Sequence, residues 1–172
     1  MLHESDLEQK LTVTDVDTNF ESIYEKDYIP QKYIEDIKQA NVLIIPNEGF
    51  RNKKGVFFPE CTSDFYQFLK NTSEIKTEIC IDDDEFEKLE LHADIVYVAT
   101  LIVQYAVFPV VTGMIASYLY DKVKSMNKEK NETNTDVHII VEKNGKSKKV
   151  DYEGSIENFE KAMQTIEKTI FK

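Results

Sequence analysis

Four groups of residues in this 172-residue chain have side chains of the kinds that do chemistry. Cys61 stands just before an expected helix N-terminus, where a thiolate is stabilised. No histidine is close in sequence to serve as its base, so an ordinary small core residue is expected. His92 and Asp94 (LHAD) are the types used for metal binding or acid–base work. They fall where a helix is expected, and an i, i+2 spacing there points them to different sides. Asp82, Asp83, Asp84, Glu85 and Glu87 are hard-cation ligands by type. A calcium loop needs alternating ligands around a central glycine, which this stretch lacks, so a solvated acidic face is expected. Lys143, Lys146, Lys148 and Lys149 crowd an expected hairpin tip, where phosphates of nucleic acid or of lipid headgroups are the natural contacts. No aromatic lies between these lysines in sequence, which leaves single-strand recognition without its stacking surface.

The chain carries no P-loop, no GxGxxG, no HExxH and no GxSxG. Its two cysteines, Cys61 and Cys80, form neither a disulfide framework nor a zinc pattern, and reduced thiols in a cytosolic protein are the default. Glu and Lys are too abundant for a nuclease-like match to mean anything. No catalytic residue, metal ligand or cofactor is expected, and a small nuclease or hydrolase with a dispersed site is the weakest class.

The elements that must position these residues read as follows. Residues 1–28 are acidic and weakly periodic, with Leu7, Leu11, Phe20, Ile23 and Tyr24 spaced for a loosely held helix or two, an arm. The opening MLHESDLEQK is polar and acidic, unlike a secretory signal. Residues 29–94 read as an α/β part. Pro30 opens a helix carrying Tyr33, Ile34 and Ile37 on one face. NVLIIP (41–46) is a buried strand, 47–55 a loop, and VFFP (56–59) another strand or edge segment. Thr62 or Ser63 is the expected cap of a helix that buries Phe65, Phe68 and Leu69 and ends near Asn71. Residues 75–81 alternate as a half-buried strand, and 82–90 read as the first turns of a helix.

After a polar linker over 122–136, residues 137–172 read as a β-hairpin–helix unit. Asn144-Gly145 is a strong two-residue turn, because both residues tolerate positive φ. Its register pairs Val141 with Lys148, Ile139 with Val150 and Val137 with Tyr152, leaving His138, Glu142, Lys149 and Asp151 on the opposite face. Gly154-Ser155 then caps a helix whose Ile156, Phe159, Met163, Ile166 and Ile170 form one amphipathic stripe.

Between these parts, Ile95 to Tyr120 runs without one charged side chain. Three architectures fit. A membrane span has length enough, Tyr97 and Tyr118/Tyr120 at the ends and lysines following. The lysines would then place the C-terminal half inside, forcing the acidic first half across the bilayer without a signal. Splitting the run at Pro109 makes Ile95–Val103 a buried strand followed by a helix. The preferred reading is a Pro-kinked apolar helix over 95–124, because no turn residues separate Val103 from Pro109. As one helix the run is about 39 Å long, longer than a domain of this size needs. Its excess apolar surface points to another chain, with Val103, Val107, Val111, Met114, Ile115 and Leu119 as the partner-binding residues.

The expected fold class is therefore α+β: a small mixed sheet, a long central apolar helix and a C-terminal β-hairpin plus helix. The formal charge is −11, with net −12 over residues 1–94 and +1 over 121–172. That disfavours phosphate-backbone binding by the surface as a whole. The order of elements in VLIIP…VFFPECTSDFYQFLK…LHADIVYVATLIVQYAVFPVVTGMIASYLYDKVK…VHIIVEKNGKSKKV plus a helix, over residues 41–172, resembles that of small effector-associated components of bacterial anti-phage operons. The resemblance carries no motif and no functional residue. It implies a non-catalytic accessory subunit beside a larger effector or ATPase. An adaptor role, a cytoplasmic location and only indirect contact with nucleic acid are the accompanying expectations. A homo-oligomer and a membrane-anchored component with one transmembrane helix at 95–120 are the alternatives.

Overall fold

The structure is a computed structural model, and it describes residues 10–50, 53–81, 87–89, 95–126 and 133–172, the side chains of 48–50, 53–56 and 87–89 excepted. In chain order the strands are β1 (Lys10–Val16), β2 (Val42–Ile45), β3 (Asn47–Phe50), β4 (Lys53–Pro59), β5 (Thr77–Ile79), β6 (Glu87–Leu89), β7 (Ile95–Tyr97), β8 (Thr100–Gln104), β9 (Asn134–Lys143) and β10 (Lys146–Ser155). The helices are α1 (Phe20–Tyr24), α2 (Ile34–Gln39), α3 (Thr62–Lys70), α4 (Phe108–Ser125) and α5 (Ile156–Thr169). The fold is α+β, with a mixed sheet and a C-terminal hairpin plus helix.

The main sheet runs β1-β10-β9-β8-β2-β5, and β7 also pairs with β9. The hairpin β9–β10 sets its geometry. Asn144 and Gly145 take φ of 54° and 83°, the positive values a tight turn requires. Val141 then meets Lys148, Ile139 meets Val150 and Val137 meets Tyr152, the register expected from the turn. Parallel pairing of β8 with β9 and antiparallel pairing of β2 with β8 extend the sheet.

The uncharged run is not one helix. Ile95, Val96, Ile102 and Val103 are β-branched and suit a pleated ladder better than a helix, and β7 and β8 both pair with β9. The chain turns through a short 3₁₀ segment, Tyr105–Val107, and α4 begins with Pro109 in its first turn. There the missing N–H costs nothing, so the proline opens the helix rather than kinking it. Of the split reading, a helix opened by Pro109 holds, but the expected single buried strand over 95–103 is two strands, β7 and β8, and β7 is only half-buried. A transmembrane helix at 95–120 has no counterpart, and among the described residues no helix is long and apolar enough to cross a membrane.

Two cores follow. On one sheet face Leu101, Val103, Ile139 and Val150 pack under α3, α4 and α5, with Phe108, Val111, Ile115, Leu119, Phe159 and Met163 coming down from the helices. Tyr118 stands edge-on to Phe65 with centroids 5.0 Å apart, and Tyr152 edge-on to Phe159 at 5.3 Å. On the other face Leu43, Ile45, Ile102 and Ile140 pack under α1 and α2 through Phe20, Ile23 and Ile37. Asn19 caps α1 by accepting from the Ser22 amide at 2.8 Å, and the Phe20 amide donates to Glu142 Oε1 at 3.1 Å, tying α1 to β9.

Other expectations change. Residues 10–16 of the supposed arm form an edge strand paired along its whole length with β10. Tyr33 ends a 3₁₀ turn before α2 and is exposed, whereas Ile37 on α2 is buried. The expected loop at 47–55 contains β3 and part of β4, and Glu87–Leu89 is a strand paired with β4 rather than a helix, giving a second sheet β3-β4-β6. Cys61, not Thr62, occupies the cap position of α3, with φ of 68°. Thr62 is inside the helix and donates to the Pro59 carbonyl at 2.6 Å.

Two glycines respond oppositely to a methyl group. A Cβ at Gly113, within α4, meets nothing within 4 Å, whereas Gly145 holds φ of +83°. Gly113→Ala raises the unfolding free energy in urea by about 0.5–1 kcal/mol, and Gly145→Ala lowers it by roughly 1 kcal/mol or more.

Candidate functional site

The six residues expected to meet a partner are mostly spent inside the chain. Val103, Val111, Ile115 and Leu119 are fully buried in the core beneath α4, and Val107 and Met114 are half-buried against it. A helix on a sheet turns its widest apolar stripe inward, so the strongest hydrophobes of the run cannot also face outward.

The outward stripe of α4 and the turn before it is different. Its exposed positions are Ala106, Pro109, Gly113 and Ser117, followed by Asp121. Half-buried Val107, Val110 and Met114 flank it. The exposed positions of α5 are Glu157, Asn158, Glu160, Lys161, Gln164, Thr165, Lys168 and Thr169, as water contact demands. From Ala106 to Ser117 the exposed positions of this segment are thus small and uncharged.

The clearest cluster of titratable groups lies on the half of the second sheet face that the α1/α2 core leaves uncovered. His138 and Asp136 are two residues apart on β9, hence on one face. Asp151 on β10 is the cross-strand partner of His138. His138 Nε2 lies 3.0 Å from Asp136 Oδ1, and its Nδ1 bonds Asp151 Oδ1, which Lys149 Nζ also approaches at 3.6 Å. All three side chains of the triad are about a third exposed or less.

Hydrogen bonding to Asp136 raises the pKa of His138 most; partial burial opposes this, and Asp151 adds to the rise. A carboxylate oxygen beside each ring nitrogen favours the doubly protonated ring, the form in which neither nitrogen has a lone pair to offer. Among the described residues no group of three or more His, Cys, Asp and Glu is arranged to hold a metal ion. The triad instead clamps β9 to β10. Sequence reasoning placed His138 and Asp151 on this face without joining them; the hairpin register was the available signal.

The remaining candidates separate. Lys143 and Lys146 are exposed and Lys148 and Lys149 half-exposed. Lys143, Lys146 and Lys148 share the α5 side of the sheet, while Lys149 is on the other side beside Asp151. Lys148 Nζ is 3.6 Å from Asp15 Oδ1. Cys61 is exposed, not a core residue, whereas Cys80 is buried and desolvation pushes its thiol up to about 12, which makes it unreactive. His92, Asp94 and the run Asp82–Asp84 with Glu85 lie outside the described residues, and Glu87 has only its backbone described.

No family model, curated protein or solved structure matches the chain.

The His138 triad implies a defined pH dependence. A raised folded-state pKa stabilises the fold fully below the ordinary histidine value, about 6.5, and that contribution disappears as pH rises through the folded value. The Tm difference between the parent and His138→Gln is therefore largest in mild acid and shrinks toward alkaline pH, as read by thermal denaturation across the range.

Proposed function

We propose that this chain is a non-catalytic accessory subunit that works bound to a larger protein, and that the larger protein covers the outer stripe of α4. One observation carries the reading. Ala106, Pro109, Gly113 and Ser117 are exposed yet uncharged over more than three turns, in a chain where 31% of residues are charged. A helix face meant for water alone carries Lys and Glu, as α5 does. Small residues instead let a second backbone approach closely, and Val107, Val110 and Met114 supply apolar contact at the rim of that approach. The association proposed for the uncharged run thus moves from its buried side to its outer side. The resemblance to anti-phage operon components suggests an effector or ATPase as the larger protein, and a second copy of the chain is the alternative occupant.

Opposite charges at one exposed site test the reading. Ser117→Glu and Ser117→Lys change stability by no more than about 0.5 kcal/mol, because the position faces outward. Each weakens association roughly tenfold or more, since either charge is buried unpaired in an apolar contact. Native purification of tagged parent and variants, with sizing of the complexes, reads the outcome. Identical complexes from all three chains, or a parent that purifies alone, overturn the proposal. Val103→Lys is no substitute, because that charge sits in the core and abolishes cooperative unfolding.

A further inference from the structure

The hairpin tip brings together residues that are far apart in sequence. Tyr105, in the turn before α4, and Phe171, just after α5, stand edge to face with centroids 5.1 Å apart. Lys143 Nζ lies 4.8 Å from the Tyr105 centroid and 5.9 Å from that of Phe171. Lys148 Nζ lies 6.0 Å from Phe171. Lys146 is the cross-strand partner of Lys143 and is exposed beside it. Both rings are half-buried, and the Tyr105 hydroxyl donates to the Glu167 carbonyl at 3.1 Å, which fixes its ring. The two aromatics missing from between the lysines in sequence are thus supplied by the fold.

We propose that this tip binds single-stranded nucleic acid, with Tyr105 and Phe171 stacking bases and Lys143, Lys146 and Lys148 meeting the adjoining phosphates. Independent of the accessory-subunit reading, the inference rests on a different surface. Fixed rings beside mobile ammonium groups are the combination that sequence-tolerant strand binding needs. Lys143 fills the space over Tyr105; its flexible stem moves aside for a base, and its charge then lies next to that base's phosphate.

The chain's overall charge favours a strand over a membrane. At −11, most of this surface is repelled by an anionic bilayer, a plane that extends past the tip. A single strand touches the tip alone, and acidic groups farther from it than the screening length of about 8–10 Å do not oppose it. The rings also lie against the core instead of projecting, which suits stacking and not insertion. Asp15, 3.6 Å from Lys148, is an acidic group that a phosphate must displace, and Asp17 lines the same cleft.

Fluorescence anisotropy of the full chain with a labelled oligothymidylate tests the proposal. The expected result is binding that weakens as salt rises, as counterion release requires. Lys143→Gln/Lys146→Gln, at exposed positions that do not threaten the fold, lowers affinity about tenfold or more and flattens the salt dependence. Phe171→Leu lowers affinity to a similar extent and leaves the salt dependence unchanged. Equal affinity of parent and double-lysine variant overturns the proposal. So does equal binding of inorganic polyphosphate, which offers charge without bases. Co-sedimentation with phosphatidylserine vesicles in the absence of oligothymidylate binding assigns the tip to a lipid surface and overturns it as well.

Discussion

The burial of β8 on both faces is the constraint from which the rest of the structure follows. Leu101, Ile102 and Val103 are each 0% exposed. Leu101 and Val103 belong to the core under α3–α5, and Ile102 belongs to the core under α1 and α2. A strand apolar on both sides needs cover on both sides. It also needs a neighbour on each edge for its backbone groups, which β2 and β9 provide. Only then does it make sense that α4 begins so soon after the strand: the chain turns at Tyr105–Val107 and lays its next apolar segment back over the residues it has just passed.

That arrangement divides the surface. Over the first core the outer surface is that of the helices, and there the exposed positions from Ala106 to Ser117 are uncharged, unlike those of α3 and α5. On the second face, α1 and α2 cover the centre of the sheet but not its β10–β1 side. There the sheet shows a polar strip, in which His138 between Asp136 and Asp151 joins β9 to β10. At the hairpin tip the sheet outruns its helices, and the exposed lysines meet the two rings at the ends of the helical layer. Three surfaces with three chemistries thus arise from one uneven covering of a single sheet.

Much of the local structure was legible because it depends on near neighbours. The Asn144-Gly145 turn dictates a register over twenty residues, since a shift of one residue would exchange the two faces. The stripe from Ile156 to Ile170 and the Ser155 cap define α5, whose cap accepts from the Asn158 amide at 3.3 Å. Strand β2 was visible as a short apolar run bounded by Asn41 and Pro46. Edge and minor strands were not visible: β1 is largely exposed, its stability comes from backbone pairing with β10, and KLTVTDV carries little apolar alternation. Glu87–Leu89 is a strand because β4 lies alongside it, not because of its own side chains.

By itself the sequence determined which segments must be hidden from water and where the chain must turn, because hydrophobicity and allowed φ are properties of single residues and close neighbours. It thereby determined the α+β class and the hairpin–helix unit. Only the tertiary structure decided what hides the uncharged run, since strand and helix bury the same residues equally well and the choice depends on the partners β2 and β9. For the same reason, only it decided that Tyr105 and Phe171 stand beside Lys143. The meeting of residues 38 and 28 positions apart is a consequence of packing in space, on which spacing along the chain has no purchase.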